Sequence, residues 1–159
     1  MGKKKKTNAI RLLDQKKIEY KVCEYETKDG LIDGVSVAKK TGQAVERVFK
    51  TLVAQKEDGS LCVFCVPVAA TLNLKKAAKT VGAKRIRMIP MKDLLKHTGY
   101  IHGGCSPVGM KKHYPTWFDI SGKEMEAICV SGGMRGIQVC LMPDELLKIT
   151  QAEWADLAE

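Results

Sequence analysis

The sequence predicts a single mixed α/β domain with a mainly antiparallel, partly closed sheet surrounded by helices. The 159 residues suit one domain, and a content of 45% hydrophobic and 28% charged residues is typical of a globular chain. Strand-like and helix-like segments alternate without the regular strand–helix–strand rhythm of a parallel sheet. We therefore expect residues 1–159 to form one domain, with residues 1–7 as a flexible basic tail.

The first half of the chain predicts two short helices, one strand and a hairpin. Helices are expected where a capping residue precedes helical spacing, and strands where apolar residues alternate with polar ones or form short runs. In chain order these are a helix capped by Thr7 or Asn8, a strand over 18–22, a helix from Ser36 to Gly42, and a hairpin of strands 48–54 and 61–68 that turns at Asp58-Gly59.

The second half predicts three helices and three short strands. A segment rich in glycine and proline, 98–110, divides them. In chain order they are a helix over 74–81 ended by Gly82, a strand over 84–89, a helix over 91–97, strands over 128–130 and 137–141, and a helix over 143–157.

The charge and the cysteines narrow the possible functions. The formal net charge of +9 favours a polyanionic partner such as nucleic acid. No run approaches the ~20 apolar residues of a membrane span, so we expect no membrane partner and a cytoplasmic location. We expect all six cysteines to be reduced and mostly packed. Cys62 and Cys65 should point to opposite faces of a strand, which disfavours a shared metal or a redox pair.

Three features could carry chemistry, although each also has a purely structural interpretation. The glycines within 98–109 and 131–136 allow backbone N–H groups to converge on an anion, but they also suit ordinary turns. Lys50 begins an apolar strand, where a lysine either reaches solvent or points into a polar pocket.

Common catalytic patterns are missing from the sequence. Its three histidines are isolated, so they form neither a zinc motif nor an obvious nucleophile–base pair. Cys105 and His102 are three residues apart in a loop, a spacing that defines no geometry. If the protein is an enzyme, we expect it to act by positioning and electrostatics.

Four motifs, in the order in which they occur, carry a family resemblance. They are Phe49-Lys50-Thr51-Leu52; Leu74-Lys75-Lys76-Ala77-Ala78-Lys79; Thr98-Gly99-Tyr100 with Gly103-Gly104-Cys105-Ser106-Pro107; and Val130-Ser131-Gly132-Gly133 with Arg135-Gly136. Over residues 8–157 the chain resembles the YbaK family of aminoacyl-tRNA deacylases, related to the editing domain of bacterial prolyl-tRNA synthetases. The resemblance implies a mixed α/β fold around a partly closed sheet.

The resemblance also assigns roles to individual residues. Lys50 falls on the family's essential lysine, and Gly103 and Gly104 fall on the loop that meets the aminoacyl carbonyl, so these three are the expected catalytic positions. Gln138 stands where some relatives have Asp, and we transfer no catalytic role to it. The expected substrate-binding residues are Tyr25, Thr51, Ser106, Ser131 and Gly132.

The activity that the resemblance implies is trans-editing. The expected substrate is Cys-tRNA(Pro), with Cys-tRNA(Cys) as a second, and the substrate's own thiol attacks the ester, without a metal or an organic cofactor. The expected partners are the acceptor end of tRNA and prolyl-tRNA synthetase. Deacylation of Ala-tRNA(Pro) by water and non-catalytic RNA binding or regulation remain open alternatives. The basic residues expected to hold tRNA, which could equally form a solvated surface, are Lys75, Lys76, Lys79, Lys84, Arg85 and Arg87.

Overall fold

Five α-helices surround two β-sheets in the computed structural model, which describes residues 6–159. The helices are α1 (Asn8–Gln15), α2 (Gly34–Thr41), α3 (Leu74–Val81), α4 (Leu94–Thr98) and α5 (Pro143–Thr150). The strands are β1 (Lys21–Glu24), β2 (Phe49–Lys56), β3 (Leu61–Pro67), β4 (Ile86–Met88), β5 (Thr116–Asp119), β6 (Ile128–Ser131), β7 (Ile137–Leu141) and β8 (Glu153–Ala155).

The strands form a mixed arrangement, as predicted, but in two sheets. The larger sheet has the order β4-β2-β3-β5-β8, and the smaller one has the order β1-β7-β6. All pairings are antiparallel except those of β5, which runs parallel to both β3 and β8. A parallel bridge between Val48 and Cys129 connects the two sheets beside the start of β2. The prediction of a mixed, mainly antiparallel arrangement is therefore confirmed, with two linked sheets in place of one.

Local sequence signals account for most helix ends. Thr7 caps α1, Asn73 caps α3, and Gly82 ends α3 in the left-handed conformation. The start of α2 differs from the prediction, because the Asp33 carboxylate accepts a hydrogen bond from the Ser36 N–H at 3.1 Å. Ser36 therefore lies inside the first turn of α2 and does not open the helix.

The predicted basic tail lies only partly within the described residues. Residues 1–5 are outside them. Lys6 forms an ion pair with Asp14 of α1. The Thr7 hydroxyl accepts a hydrogen bond from the Ile10 N–H and donates one to the Gly132 carbonyl. Thr7 therefore belongs to the folded domain and not to the tail.

The C-terminal segment corrects the prediction of one helix over 143–157. The helix α5 ends at Thr150, and Gln151 follows in the left-handed region with a φ of 54°. The chain then adds β8 beside β5, a strand that the sequence pattern did not predict. The buried Asp119 carboxylate accepts hydrogen bonds from the N–H groups of Leu157 and Ala158, both at 2.9 Å. This long-range anchor fixes the segment beside β5.

The core is divided between the two faces of the larger sheet. One cluster joins both sheets to α1 and α5, and a second packs α3 against the opposite face of the larger sheet. A third, smaller cluster joins α2 to the smaller sheet. Cys65 lies in the first cluster and Cys62 in the second, which confirms that their side chains point to opposite faces.

Two cysteines correct the prediction that all six are reduced. Cys129 of β6 and Cys140 of β7 form a disulfide, whereas the other four cysteines are free. Antiparallel pairing places the two residues directly opposite each other, with their Cα atoms 4.0 Å apart. This proximity depends on strand register, so the local sequence pattern did not reveal it. Separately, none of the helices within residues 6–159 is long and apolar enough to cross a lipid bilayer.

Candidate active site

A cleft of about 350 Å³ opens where the start of β2 meets the first turn of α2 and the turn at residues 102–105. The remaining walls come from Tyr25 after β1, Ser131 at the end of β6 and Gln138 on β7. Five of the residues expected from the sequence line this space, which we call the Lys50 cleft. They are Tyr25, Lys50, Thr51, Gly103 and Ser131.

Lys50 supplies a positive charge that forms no ion pair with the other residues of the range 6–159. It is the second residue of β2, where the register pairs it with Val66 of β3, and it is half-buried. Within residues 6–159 its Nζ makes no hydrogen bond or ion pair. Desolvation by burial lowers the pKa of Lys50 from its usual range. The amine is therefore available to a ligand in the cleft.

The two glycines of the turn at residues 101–104 differ in their backbone hydrogen bonds. The Gly104 N–H donates to the Ile101 carbonyl at 2.9 Å, and Gly103 has a φ of +84°, the conformation that the third position of a type II turn requires. The Gly103 N–H has no acceptor in the described part of the chain, and Gly103 is one of the residues that line the cleft. Because the Gly104 N–H closes the turn, Gly103 is the member of the glycine pair whose N–H has no acceptor among residues 6–159.

Three side chains of the cleft keep hydroxyl groups for a ligand. The Tyr25 hydroxyl is unbonded among residues 6–159, while its backbone N–H donates to the Gly136 carbonyl and fixes its position. The Ser131 Oγ accepts a hydrogen bond from the Gly133 N–H at 3.2 Å. The Thr51 Oγ1 accepts a weak one from the Cys65 thiol at 3.8 Å. Neither of these two hydroxyl groups donates a hydrogen bond within residues 6–159, so each keeps its proton for another acceptor.

Two expected substrate-binding residues lie behind the wall and do not line it. Ser106 is fully buried, and its Oγ accepts a hydrogen bond from the Val108 N–H at 3.2 Å. The Gly132 N–H donates to the Ile137 carbonyl, and the Gly132 carbonyl accepts from Thr7. Both residues hold the loops that form the site, so their place is structural in this arrangement.

Sequence reasoning did not name Asp33 as a site residue, and it gave neither His102 nor Gln138 a role in the site. Asp33 lines the cleft while its carboxylate caps α2, and hydrogen bonds from the Ser36 hydroxyl and N–H lower the pKa of Asp33. His102 lines it from the exposed turn. Gln138 is only 5% exposed, and its buried Oε1 has no hydrogen-bond partner within residues 6–159. The Asp-Gly pair at 33–34 was an available signal, but such a pair is also typical of an ordinary loop.

The cleft holds no activated protein nucleophile among its described residues. Burial raises the pKa of the Cys105 thiol to about 12, so this residue stays protonated at neutral pH. Neither the Ser131 nor the Thr51 hydroxyl donates to a histidine or a carboxylate within residues 6–159. No group of three metal-ligating side chains occurs in the same residue range. The chemistry that this site offers is therefore a cation, a free N–H and hydroxyl donors around a bound molecule.

A second depression, the basic groove, lies at the far end of β2. Its volume is about 420 Å³, and Arg85, Arg87 and Lys56 line it together with Glu57. Arg87 pairs with Gln55 in the sheet, five residues from Lys50, which places the groove about 17 Å from the cleft along the strand. The groove is thus separate from the Lys50 cleft and faces solvent.

The lysines of α3 that were expected to hold tRNA differ in their pairing. Lys75 and Lys79 are exposed and make no side-chain hydrogen bond or ion pair within residues 6–159. The Lys76 ammonium instead donates to Asp156 and to the Ala158 carbonyl, both at 2.9 Å. Lys75 and Lys79 are therefore the freer cations of this helix.

Comparison with known proteins gives three concordant matches. A family model described as "Aminoacyl-tRNA editing domain" matches residues 33–149. A protein of Enterococcus faecalis (strain ATCC 700802 / V583), named "Putative Cys-tRNA(Pro)/Cys-tRNA(Cys) deacylase EbsC", is 41% identical over 160 residues, which are 99% of this chain and 98% of that protein. A solved structure described as "a putative trans-editing enzyme for prolyl tRNA synthetase" has a TM-score of 0.84 at 27% identity and covers 98% of this chain and 99% of its own.

A more distant structure shares the fold. The hypothetical protein APE2540 has a TM-score of 0.86 at 19% identity, over 96% of this chain and 99% of its own. The matched range 33–149 contains Lys50, Gly103, Ser131 and Gln138, whereas Tyr25 precedes it.

Proposed function

The chain belongs to the aminoacyl-tRNA editing domain family, and from this premise we propose that it is a trans-editing deacylase that removes cysteine from Cys-tRNA(Pro) and from Cys-tRNA(Cys). The names of its relatives support the substrate class. The observation that carries the proposal is the pairing of the unneutralised Lys50 and the free Gly103 N–H in a cleft whose described residues include no activated nucleophile.

The missing protein nucleophile is explained if the substrate supplies its own. The thiol sulfur of the cysteinyl group attacks the ester carbonyl, and a carbon–sulfur bond forms as the carbon–oxygen bond to the ribose breaks. The thiol proton passes to the departing ribose oxygen. The products are a four-membered thiolactone and uncharged tRNA. An aminoacyl group without a thiol has no such route, so the chemistry itself provides selectivity.

The protein contributes orientation and charge. Lys50 and the Gly103 N–H stabilise the negative charge that develops on the carbonyl oxygen, and removing one donor of this kind typically lowers the rate about 10²–10³-fold. Holding the thiol against the carbonyl adds to the effective molarity of the reaction. The hydroxyl groups of Tyr25 and Ser131 orient the aminoacyl group.

The position of the basic groove supports tRNA as the larger ligand. With the aminoacyl end in the Lys50 cleft, Arg85 and Arg87 would meet the phosphate backbone about 17 Å away. Backbone contacts select little sequence, so the choice among tRNAs would come from prolyl-tRNA synthetase as a partner that captures the charged molecule. Such an enzyme acts where aminoacyl-tRNA is used, in the cytoplasm.

The decisive experiment follows loss of the aminoacyl ester from four substrates. We expect the protein to deacylate Cys-tRNA(Pro) and to leave Pro-tRNA(Pro), Ala-tRNA(Pro) and Ser-tRNA(Pro) intact. The seryl substrate is the matched control because its hydroxyl replaces only the sulfur. Mass spectrometry of the early products should detect the thiolactone before free cysteine.

Other results distinguish the alternatives. Hydrolysis of Ala-tRNA(Pro) at a rate equal to that of Cys-tRNA(Pro) would show that water is the nucleophile. If none of the four esters is cleaved and the protein still binds tRNA, its role is non-catalytic RNA binding.

A further inference from the structure

We propose that Arg135 forms a phosphate clamp at the rim of the Lys50 cleft and holds the last phosphodiester of the tRNA acceptor end. This inference rests on the proposed function, because it takes the 3′-terminal nucleoside to be the group that enters the cleft. Arg135 follows β6 in the turn 132–136, outside the set of basic residues predicted from the sequence.

The guanidinium is fixed at the rim by a directed hydrogen bond. The Arg135 Nε donates to the His102 carbonyl at 2.9 Å, and His102 lines the cleft. Using Nε in this way leaves both Nη groups of the planar fork for an external acceptor. An exposed arginine normally loses side-chain entropy when it binds a ligand, but here one bond already orients the side chain.

Gly103 provides the surface on which Arg135 lies. A Cβ at residue 103 would stand 3.1 Å from the Arg135 Nε and 3.5 Å from its Cγ. A side chain at residue 103 would therefore crowd the arginine and force a small shift of it. The same glycine lines the cleft and has an N–H without an acceptor among residues 6–159, so Arg135 contacts the turn that carries the expected oxyanion donor.

The charge of Arg135 is unneutralised by its surroundings. Among residues 6–159 no carboxylate oxygen lies within 4.0 Å of the guanidinium, and its Nη atoms make no hydrogen bond. The side chain is exposed. An arginine that is buried or ion-paired usually stabilises the fold. Arg135 instead uses only its Nε in a hydrogen bond to the described part of the protein and leaves its two Nη groups for a ligand.

The size of the cleft favours a phosphate at its rim. About 350 Å³ is near the low end for ligand pockets, which suits an aminoacyl group with part of its nucleoside and leaves a charged diester outside. A guanidinium fork binds two phosphate oxygens at once. The phosphate nearest the ester bond is therefore the group that this geometry fits.

Binding of two acceptor minihelices tests the clamp without any need for catalysis. One carries ordinary phosphodiesters, and the other has a neutral methylphosphonate only at the last linkage. We expect the wild-type protein to bind the ordinary minihelix about tenfold more tightly, and Arg135→Gln to bind both with equal affinity. Arg11→Gln, which removes an exposed arginine of α1, should keep the tenfold ratio.

A second variant covers the case in which Arg135→Gln binds too weakly to measure. Arg135→Lys retains the charge without the fork, so we expect measurable binding and a ratio below that of the wild type. A full tenfold ratio in either variant, or no difference in the wild type, would overturn the proposal. Because the ratio compares two ligands on one protein, a general loss of stability does not imitate the result. Absence of deacylase activity would contradict the proposed function but leave this ratio measurable.

Discussion

Replacing Gln138 with methionine should make the protein more stable. Gln138 lies on β7 between Cys23 of β1 and Ser131 of β6, and its buried Oε1 has no donor within residues 6–159. A buried acceptor without a partner costs about 1–3 kcal/mol. Methionine keeps an unbranched side chain of similar length but carries no such acceptor.

The expected gain can be expressed as a melting temperature. For a domain of this size, 1 kcal/mol corresponds to roughly 2–4 °C, so Gln138→Met should raise Tm by about 2–12 °C. Thermal unfolding followed by circular dichroism, together with urea titration at pH 7, measures both quantities. Because Gln138 lines the Lys50 cleft, we expect the same variant to have a lower deacylation rate. Stabilising substitutions in active sites often reduce activity in this way.

A matched control separates this effect from a general preference for methionine. Gln43 is half-buried, and its Nε2 contacts the Cys23 thiol at 3.6 Å. Gln43→Met should therefore leave Tm unchanged or lower it. A Gln138→Met protein that unfolds at a lower temperature than the wild type would refute the reasoning, because it would show that the amide makes a stabilising contact.

The remaining predictions concern the site and the tRNA contacts. Lys50→Ala should abolish deacylation in a folded protein. Lys50→Arg should also be inactive, because a planar guanidinium does not replace a compact ammonium. Unchanged turnover of Lys50→Ala would exclude Lys50 as a catalytic residue. Cys105→Ala should lower the deacylation rate less than about tenfold. It should also leave the pH dependence of the rate unchanged between about pH 6 and 9, since a pKa of about 12 keeps the thiol protonated. A trapped aminoacyl-Cys105 adduct would contradict this prediction. Lys75→Ala combined with Lys79→Ala should lower the affinity for all tRNAs equally and leave the deacylation rate at saturating tRNA unchanged. The slope of log K against log[salt] should fall by roughly 0.7–0.9 per lost phosphate contact. An unaltered affinity would show that these lysines form only a solvated surface.

The fold was predictable where local chemistry decides it. The helix α3 is delimited by Asn73 and Gly82, residues whose capping geometry depends on neighbouring backbone groups only. The hairpin of β2 and β3 likewise follows from two apolar runs around Asp58-Gly59. The strand β8 was not predictable, because three residues carry too little pattern and its position depends on a strand distant in sequence.

The site was predictable only in part, for the same physical reason. Lys50 and Gly103 were recognisable through the family motifs, and both line the cleft. Ser106, two residues beyond Gly104, was expected beside them. Neighbouring loop residues can face opposite sides, and the buried Ser106 hydroxyl accepts a hydrogen bond from the Val108 N–H. The contact between Arg135 and His102 joins two turns that are far apart in sequence, so only the folded chain reveals it.

The anchoring of the C-terminal segment has a consequence for synthesis on the ribosome. The Asp119 carboxylate is buried, and burial opposes its charge, but the Ser121 hydroxyl and the N–H groups of Leu157 and Ala158 outweigh that effect and lower its pKa. Until residues 153–159 have left the exit tunnel, two of these donors are missing and the edge of β5 is uncovered. We expect the nascent chain to remain sensitive to proteases and prone to edge pairing until that moment.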